Sequence, residues 1–350
     1  NQRIVVLISK MRILFFFFFF ICFFSCNNTV EKENDSKSQI EILSQKVNSN
    51  PNNILPLLER AKYNLERRKL ESALFDLNQC IKIDSLSSEC NYLAALCYFE
   101  ISKYDKSKTD YGNLALTCVK NSLLNEKDNF LALALYGEIN IAYAKYKEAI
   151  DLFNQSLNLE YNQYETHHLM GYAFKKLDQL DNAINCFQNS ININPDFIEP
   201  YIEIALIYQL KNDTLTSTFY ENALNIDSTN LIALYNLGLY YQSNLSYNKA
   251  LDTYNKLLDF DAFNANTHYN IGFIHMELDL FDIAVNNFAD AIYSNTAFYE
   301  AYYARGICFE TLGNIAQAEV DYKRAIEINP DYKYAKDALQ NLKTNNQKYN

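Results

Sequence analysis

The side chains of this chain that could do chemistry are four histidines, eight cysteines and 42 carboxylates. Catalysis needs a nucleophile, a base or a metal held in mutual reach, so spacing decides what they can do. His167 and His168 are adjacent, and neighbouring side chains on a helix diverge by about 100°, which rules against a shared metal. His268 and His275 fall on the apolar stripe of a predicted helix and read as satisfied structural residues. Cys80, Cys90, Cys97, Cys118, Cys186 and Cys308 make no CxxC pair and no zinc spacing. Cys90 and Cys97 lie two turns apart on one predicted helix, too far for a disulfide. Buried free thiols are the first reading, and a bridge between neighbouring helices is the other. Asp151, Glu203 and Glu277 read as solvated face. No phosphate-cradling glycine loop, HExxH or GxSxG occurs. The expectation is a chain with no enzymatic activity, no cofactor and no metal.

Cys26 has a different setting. It closes "MRILFFFFFFICFFSC", in which Met11 and Arg12 give a basic start, Ile13 to Phe24 an apolar core, and Ser25 a small residue. This reads as a secretory signal peptide. It resembles a bacterial lipoprotein signal, and the resemblance implies cleavage before Cys26, lipidation of Cys26, export, and anchorage in the bacterial cell envelope, at the outer membrane. Phe23 and Phe24 depart from the usual Leu and small residue of that pattern. The alternatives are a non-lipidated export signal and an uncleaved anchor over 4–24, interrupted by Lys10 and Arg12. On this reading residues 1–25 are the signal peptide, with 1–10 upstream of the true start, and 26–38 are a polar tether.

The elements that must position any site come from composition and period. Hydrophobic residues make up 49% of 350, with only seven glycines and five prolines, which favours helices over turn-rich β structure. The net charge of -11 and the absence of a basic stripe disfavour a nucleic-acid partner. Gly137, Gly171, Gly238, Gly272 and Gly306 keep a period of about 34 residues, with Ala205 at the skipped step. Ala149, Ala183, Ala250, Ala284 and Ala318 follow in phase, and then the aromatics Phe153, Phe187, Tyr254, Phe288 and Tyr322. On the first helix of the unit 265–298 the stripe His268, Ile271, Gly272 and His275 faces Ala284, Phe288 and Ala291 of the unit's second helix, glycine against alanine.

With "YYARGICFETLGNIAQAEVDYKRAIEINP" at 302–330, the chain resembles a tetratricopeptide array. The resemblance implies an all-α, right-handed superhelical solenoid of antiparallel helix pairs. Eight units fit: 54–87, 88–129, 130–163, 164–197, 198–230, 231–264, 265–298 and 299–332. The second carries a surplus near "SKYDKSKTDYG" that suits a loop or a lengthened helix pair. A half-unit helix is expected over 39–53 and a capping helix over 333–345, with Tyr334, Ala335, Ala338, Leu339 and Leu342 on its apolar face and a disordered tail at 346–350.

In such arrays one side of the first helices lines a concave groove. Here that side would carry Tyr235, Asn236, Leu239 and Gln242, then Asn266, Tyr269, Asn270, Phe273 and Met276, then Glu300, Tyr303, Ile307 and Glu310. Tyr235, Tyr269 and Tyr303 recur every 34 residues and form a ladder. Amphipathic rings with flanking amides suit an extended peptide, with Asn236 and Asn270 bonding its backbone. The alternatives are rings that pack between helices, and a ladder that stacks on glycans or peptidoglycan. The leading expectation is a non-catalytic, membrane-tethered scaffold that binds protein or peptide partners.

Overall fold

The computed structural model describes residues 29–349 and shows 18 α-helices and no strand among them. The chain divides into two compact units, residues 1–186 and 187–350. The first contains α1 (Thr29–Ser49), α2 (Ile54–Glu66), α3 (Leu70–Ile83), α4 (Ser88–Tyr104), α5 (Tyr111–Asn125), α6 (Phe130–Ala142), α7 (Tyr146–Leu159) and α8 (Tyr164–Lys176). The division falls within α9 (Leu180–Ile193). The second unit continues with α10 (Glu199–Leu210), α11 (Leu215–Ile226), α12 (Leu231–Ser243), α13 (Tyr247–Phe260), α14 (Ala265–Glu277), α15 (Phe281–Ser294), α16 (Tyr299–Thr311), α17 (Ile315–Ile328) and α18 (Lys333–Tyr349).

The helices pack as consecutive antiparallel pairs, and local sequence explains where each begins and ends. First helices of several repeats open on an Asn or Ser whose side chain accepts a backbone N–H of the first turn: Asn53 from Leu55, Ser87 from Cys90, Asn129 from Ala132, Asn230 from Ala233 and Asn264 from Thr267. The first helices, α4 excepted, close on a left-handed residue at one repeat position. Arg68, Ala144 and Asp178 take it in the first unit, and Asn212, Leu245, Asp279 and Gly313 in the second, with φ from 53 to 81°. Only Gly313 adopts that conformation without a Cβ conflict.

The glycine period has a specific cause. A Cβ built on Gly137, Gly272 or Gly306 would fall within 3 Å of ring atoms of Phe153, Phe288 or Tyr322, and one on Gly238 would meet the Tyr254 ring. The aromatic sixteen residues on occupies the space that a side chain would need. This corrects the expected glycine-to-alanine contact, because the partner is the ring and the alanines pack beside it. Phe153, Tyr220, Tyr254, Phe288 and Tyr322 are all fully buried.

Other differences concern ends and surplus. Helix α1 starts at Thr29, inside the segment expected to be a polar, unpatterned tether, since its Glu and Lys residues favour helix. The C-terminal helix α18 runs on to Tyr349 through the expected tail. The surplus of the second repeat goes into a lengthened α4 of 17 residues and a longer linker to α5. The six cysteines of the described residues are free, five buried and Cys118 half-buried. Cys26 and its apolar run lie outside the described residues, within which no helix is long and apolar enough to cross a membrane.

Candidate partner-binding face

Helices α12, α14 and α16, all in the second unit, carry the ladder. Each tyrosine is half-buried, and its ring lies on the buried aromatic nineteen residues on. Tyr235 stands 6.3 Å from Tyr254, Tyr269 5.5 Å from Phe288, and Tyr303 5.9 Å from Tyr322, centroid to centroid. The regular spacing therefore has a packing cause. The buried ring fills the glycine notch, and the ladder ring covers it from the first-helix side.

Neighbouring rungs are linked. The Asn270 amide donates to the Tyr235 hydroxyl at 3.4 Å, and Asn270 is only 8% exposed. Tyr269 packs on Phe298 at 5.1 Å in the turn before α16. Tyr303 meets Tyr332 edge-on at 5.4 Å and Tyr334 at 6.3 Å, and Tyr299 meets Tyr332 at 4.8 Å. Tyr334 is 67% exposed, so it leaves the apolar face expected for the cap and closes this cluster. It precedes Ala335 by one residue, which turns it about 100° off the buried stripe. Burial raises the phenol pKa of Tyr269, Tyr303 and Tyr332, with nearby Glu300 adding to the shift at Tyr269 and Tyr332, so these hydroxyls remain donors at neutral pH.

The other residues of this face divide by contact. Asn266 is exposed, and Asn236, Leu239, Phe273 and Ile307 are half-buried. The Asn236 amide donates to the Ile232 carbonyl of its own helix at 2.8 Å, and Ile307 packs against the cluster of Ala318, Tyr322 and Leu342. Gln242 and Glu310 are turned inward as acceptors for the hydroxyls of Tyr254 at 2.8 Å and Tyr322 at 2.7 Å. Tyr220 makes the same bond to Gln209 at 3.0 Å. Where the buried ring is Phe288, Met276 stands in place of the acceptor and packs beside it. A tyrosine followed back to Gln or Glu near the end of the first helix was the available sequence signal for this pairing.

Two further features escaped the sequence reading. Arg60 binds Asp76 through two nitrogens at 2.8 and 2.7 Å, and Arg305 binds Asp321 likewise at 2.8 Å twice. Both pairs are spaced by sixteen, the same interval that joins glycine to ring. The second feature explains the histidines. His167 and His268 each place Nε2 at 3.1 and 3.0 Å from the carbonyl six residues back, a position held by Tyr201 and Asn91 in other repeats. They tie the entering turn to the first helix. Among the described residues no group of three His, Cys, Asp or Glu side chains could hold a metal.

A family model described as Iml2/Tetratricopeptide repeat protein 39 matches residues 1–212, more than half of the 350-residue chain. The chain belongs to this tetratricopeptide family. A model of the single tetratricopeptide repeat also matches, at 299–332, the bounds expected for the last repeat. Human Tetratricopeptide repeat protein 6 is 24% identical over 272 residues, covering 75% of this chain and 50% of that protein. BBSome complex member BBS4 of Bos taurus is 27% identical over 145 residues, covering 41% of this chain and 28% of that protein. This tetratricopeptide chain thus spans half or less of the length of these curated relatives. The crystal structure of the C-terminal part of a TPR repeat-containing protein from Cytophaga hutchinsonii superposes with a TM-score of 0.60 at 16% identity, covering 66% of this chain and 96% of that one. That likeness is one of fold.

Proposed function

We propose that the chain is a non-catalytic scaffold that holds a partner protein or peptide against the ladder face of α12, α14 and α16. The observation that carries this reading is that Tyr235, Tyr269 and Tyr303 stand in one register and are backed by fully buried rings. Rigid aromatic area recruited without ordering cost is what recognition surfaces use. Asn266 and the free parts of Asn236, Leu239 and Phe273 extend the face. Membership of a repeat family, and a relative named as a member of a multi-protein complex, support an assembly role.

The test uses the full chain as bait in extract of its own cells, against an Asn236→Arg/Asn266→Arg variant. Both side chains lie outside the packed core, so the variant's melting curve should be unchanged. Loss of captured proteins supports the reading; full retention sinks it, and capture of glycans alone transfers the face to glycan handling. Tethering through a lipid on Cys26 is part of the proposal and has its own assay. Palmitate label should disappear in Cys26→Ser, and label that persists refutes the anchor.

A further inference from the structure

Cys80 and Cys90 lie in the first unit, apart from the ladder face. Cys80 lies in the last turn of α3 and Cys90 in the first turn of α4, joined by the turn at 84–87. Their ten-residue interval recurs in the other repeats as Ser122 with Ala132, Ser156 with Thr166, Ala223 with Ala233, Leu257 with Thr267, Ala291 with Ala301 and Ala325 with Ala335, every one buried. Ala223 and Ala233 share one packed cluster, and Ala291 and Ala301 another. The interval marks a packed contact between the second helix of one repeat and the first helix of the next, and small residues dominate it. In one repeat both members are cysteine. Both thiols are fully buried in one core cluster, and Cys80 Sγ lies 3.7 Å from the Ile54 carbonyl.

We infer that Cys80 and Cys90 are a disulfide-forming pair, a site of reversible oxidation that clips α3 to α4. Helices in contact through small residues bring paired side chains within the reach that a disulfide demands. The two thiols have different roles. Cys90 sits at a helix N-terminus with its backbone N–H 3.4 Å from Ser87 Oγ. Its neighbours Cys80 and then Ser87 hold the Cys90 thiol below the usual range, while that of Cys80 is pushed up. Cys90 is the attacking sulfur.

The oxidant is a low-molecular-weight disulfide. The Cys90 thiolate attacks one of its sulfurs and releases one thiolate, leaving a mixed disulfide on Cys90. Cys80 then gives up its proton to solvent, its sulfur attacks Cys90 Sγ, and the second thiolate leaves. Two protein thiols lose two electrons and two protons, and the external disulfide becomes two thiols. Because both sulfurs are buried, attack proceeds through local opening of the 84–87 turn.

The test incubates the reduced full chain with glutathione disulfide, alkylates it in denaturant, and maps peptides by mass spectrometry. The expected product is a Cys80–Cys90 linked peptide, with Cys97, Cys186 and Cys308 alkylated. Separate alkylation of Cys80 and Cys90, in a sample whose half-buried Cys118 has taken up glutathione, overturns the proposal, as does pairing of either with another cysteine. Cys80→Ser should trap glutathione on Cys90, whereas Cys90→Thr should leave Cys80 alkylated; the reverse pattern refutes the assigned roles. Ser156 and Thr166 occupy the same register, so both variants fit the fold, and the wild-type mapping decides the main point without them.

Discussion

Replacing Gly238 with alanine separates two physical terms of opposite sign. An alanine inside a helix is favoured over glycine by about 1 kcal/mol, so local propensity alone predicts a more stable protein. The new methyl, however, would sit 2.6 Å from Cδ1 and 2.9 Å from Cζ of Tyr254. That ring is fully buried, covered by Tyr235 and fixed at its far end by the 2.8 Å bond to Gln242. It has nowhere to retreat, and overpacking of this kind costs up to about 3 kcal/mol. The net expectation for Gly238→Ala is a loss of about 2 kcal/mol. In a Tyr254→Ala background the obstruction is gone, and the same substitution should gain about 1 kcal/mol. The measurement is urea unfolding followed by circular dichroism for all four corners of the cycle, with hydrogen exchange of α12 and α13 amides to keep the readout local, since repeat arrays open piecewise. A stabilising effect of the single substitution, or an equal effect in both backgrounds, would refute the ring as the reason for the glycine.

Phe288→Tyr introduces a hydroxyl opposite Met276, where no acceptor stands, and should destabilise by about 1 to 3 kcal/mol. Adding Met276→Gln should recover most of that loss, which a thermal melt of the double variant checks. At the helix-ending turns, Leu245→Gly should stabilise by roughly 1 kcal/mol by relieving a leucine at φ 57°, while Gly313→Ala should cost about the same. Asp321→Ala leaves the mostly buried Arg305 guanidinium without its carboxylate and should cost about 3 kcal/mol in urea unfolding; a matched Arg305→Met/Asp321→Leu variant should lie near wild type. Burial, with a smaller push from Lys175, holds the His168 pKa down to about 4. The unfolded chain takes up that proton near pH 6.5 and the folded one only near 4, so stability should fall by about 3 kcal/mol as pH drops through this window and be unaffected above it. An imidazole NMR signal of His168 that titrates near 6.5 contradicts this.

The pairing of helices was legible in the sequence because one unit repeats, so a weak local signal is read several times over. The glycine, alanine and aromatic positions kept phase, and the last repeat was bounded where the family model places it. What was misread was the third dimension of that phase. Glycine and the ring sixteen residues on are far apart in a helical projection of either helix alone, and only the antiparallel pairing brings them together. The same blindness turned Gln242, Glu310 and Met276 outward in the expectation, when each is the near neighbour of the buried ring. The ladder tyrosines were found by their period, but period alone does not say how much of a ring is left for a partner. Tyr235, Tyr269 and Tyr303 each commit one face to the protein and can offer only the remainder.

That division sharpens what a partner could meet. Along α12 and α14 the outward groups between rungs are amides and apolar side chains, and the one cation of α16, Arg305, is held by Asp321 at 2.8 Å. Arg60 is engaged in the same way in the first repeat, where the corresponding residues of interior repeats are Leu237 with Thr253 and Ile271 with Asn287. An arginine pair is tolerated where water still reaches one edge of the guanidinium, and Arg60 and Arg305 retain 18% and 21% exposure. Buried in a middle repeat, the same pair would lose that hydration. The ion pairs therefore belong to the architecture of the first and last repeats, where each arginine is matched by its own carboxylate. On the proposed reading, recognition on the ladder face rests on ring area and hydrogen-bonding amides with Glu300 as the remaining charge, so binding should depend only weakly on ionic strength.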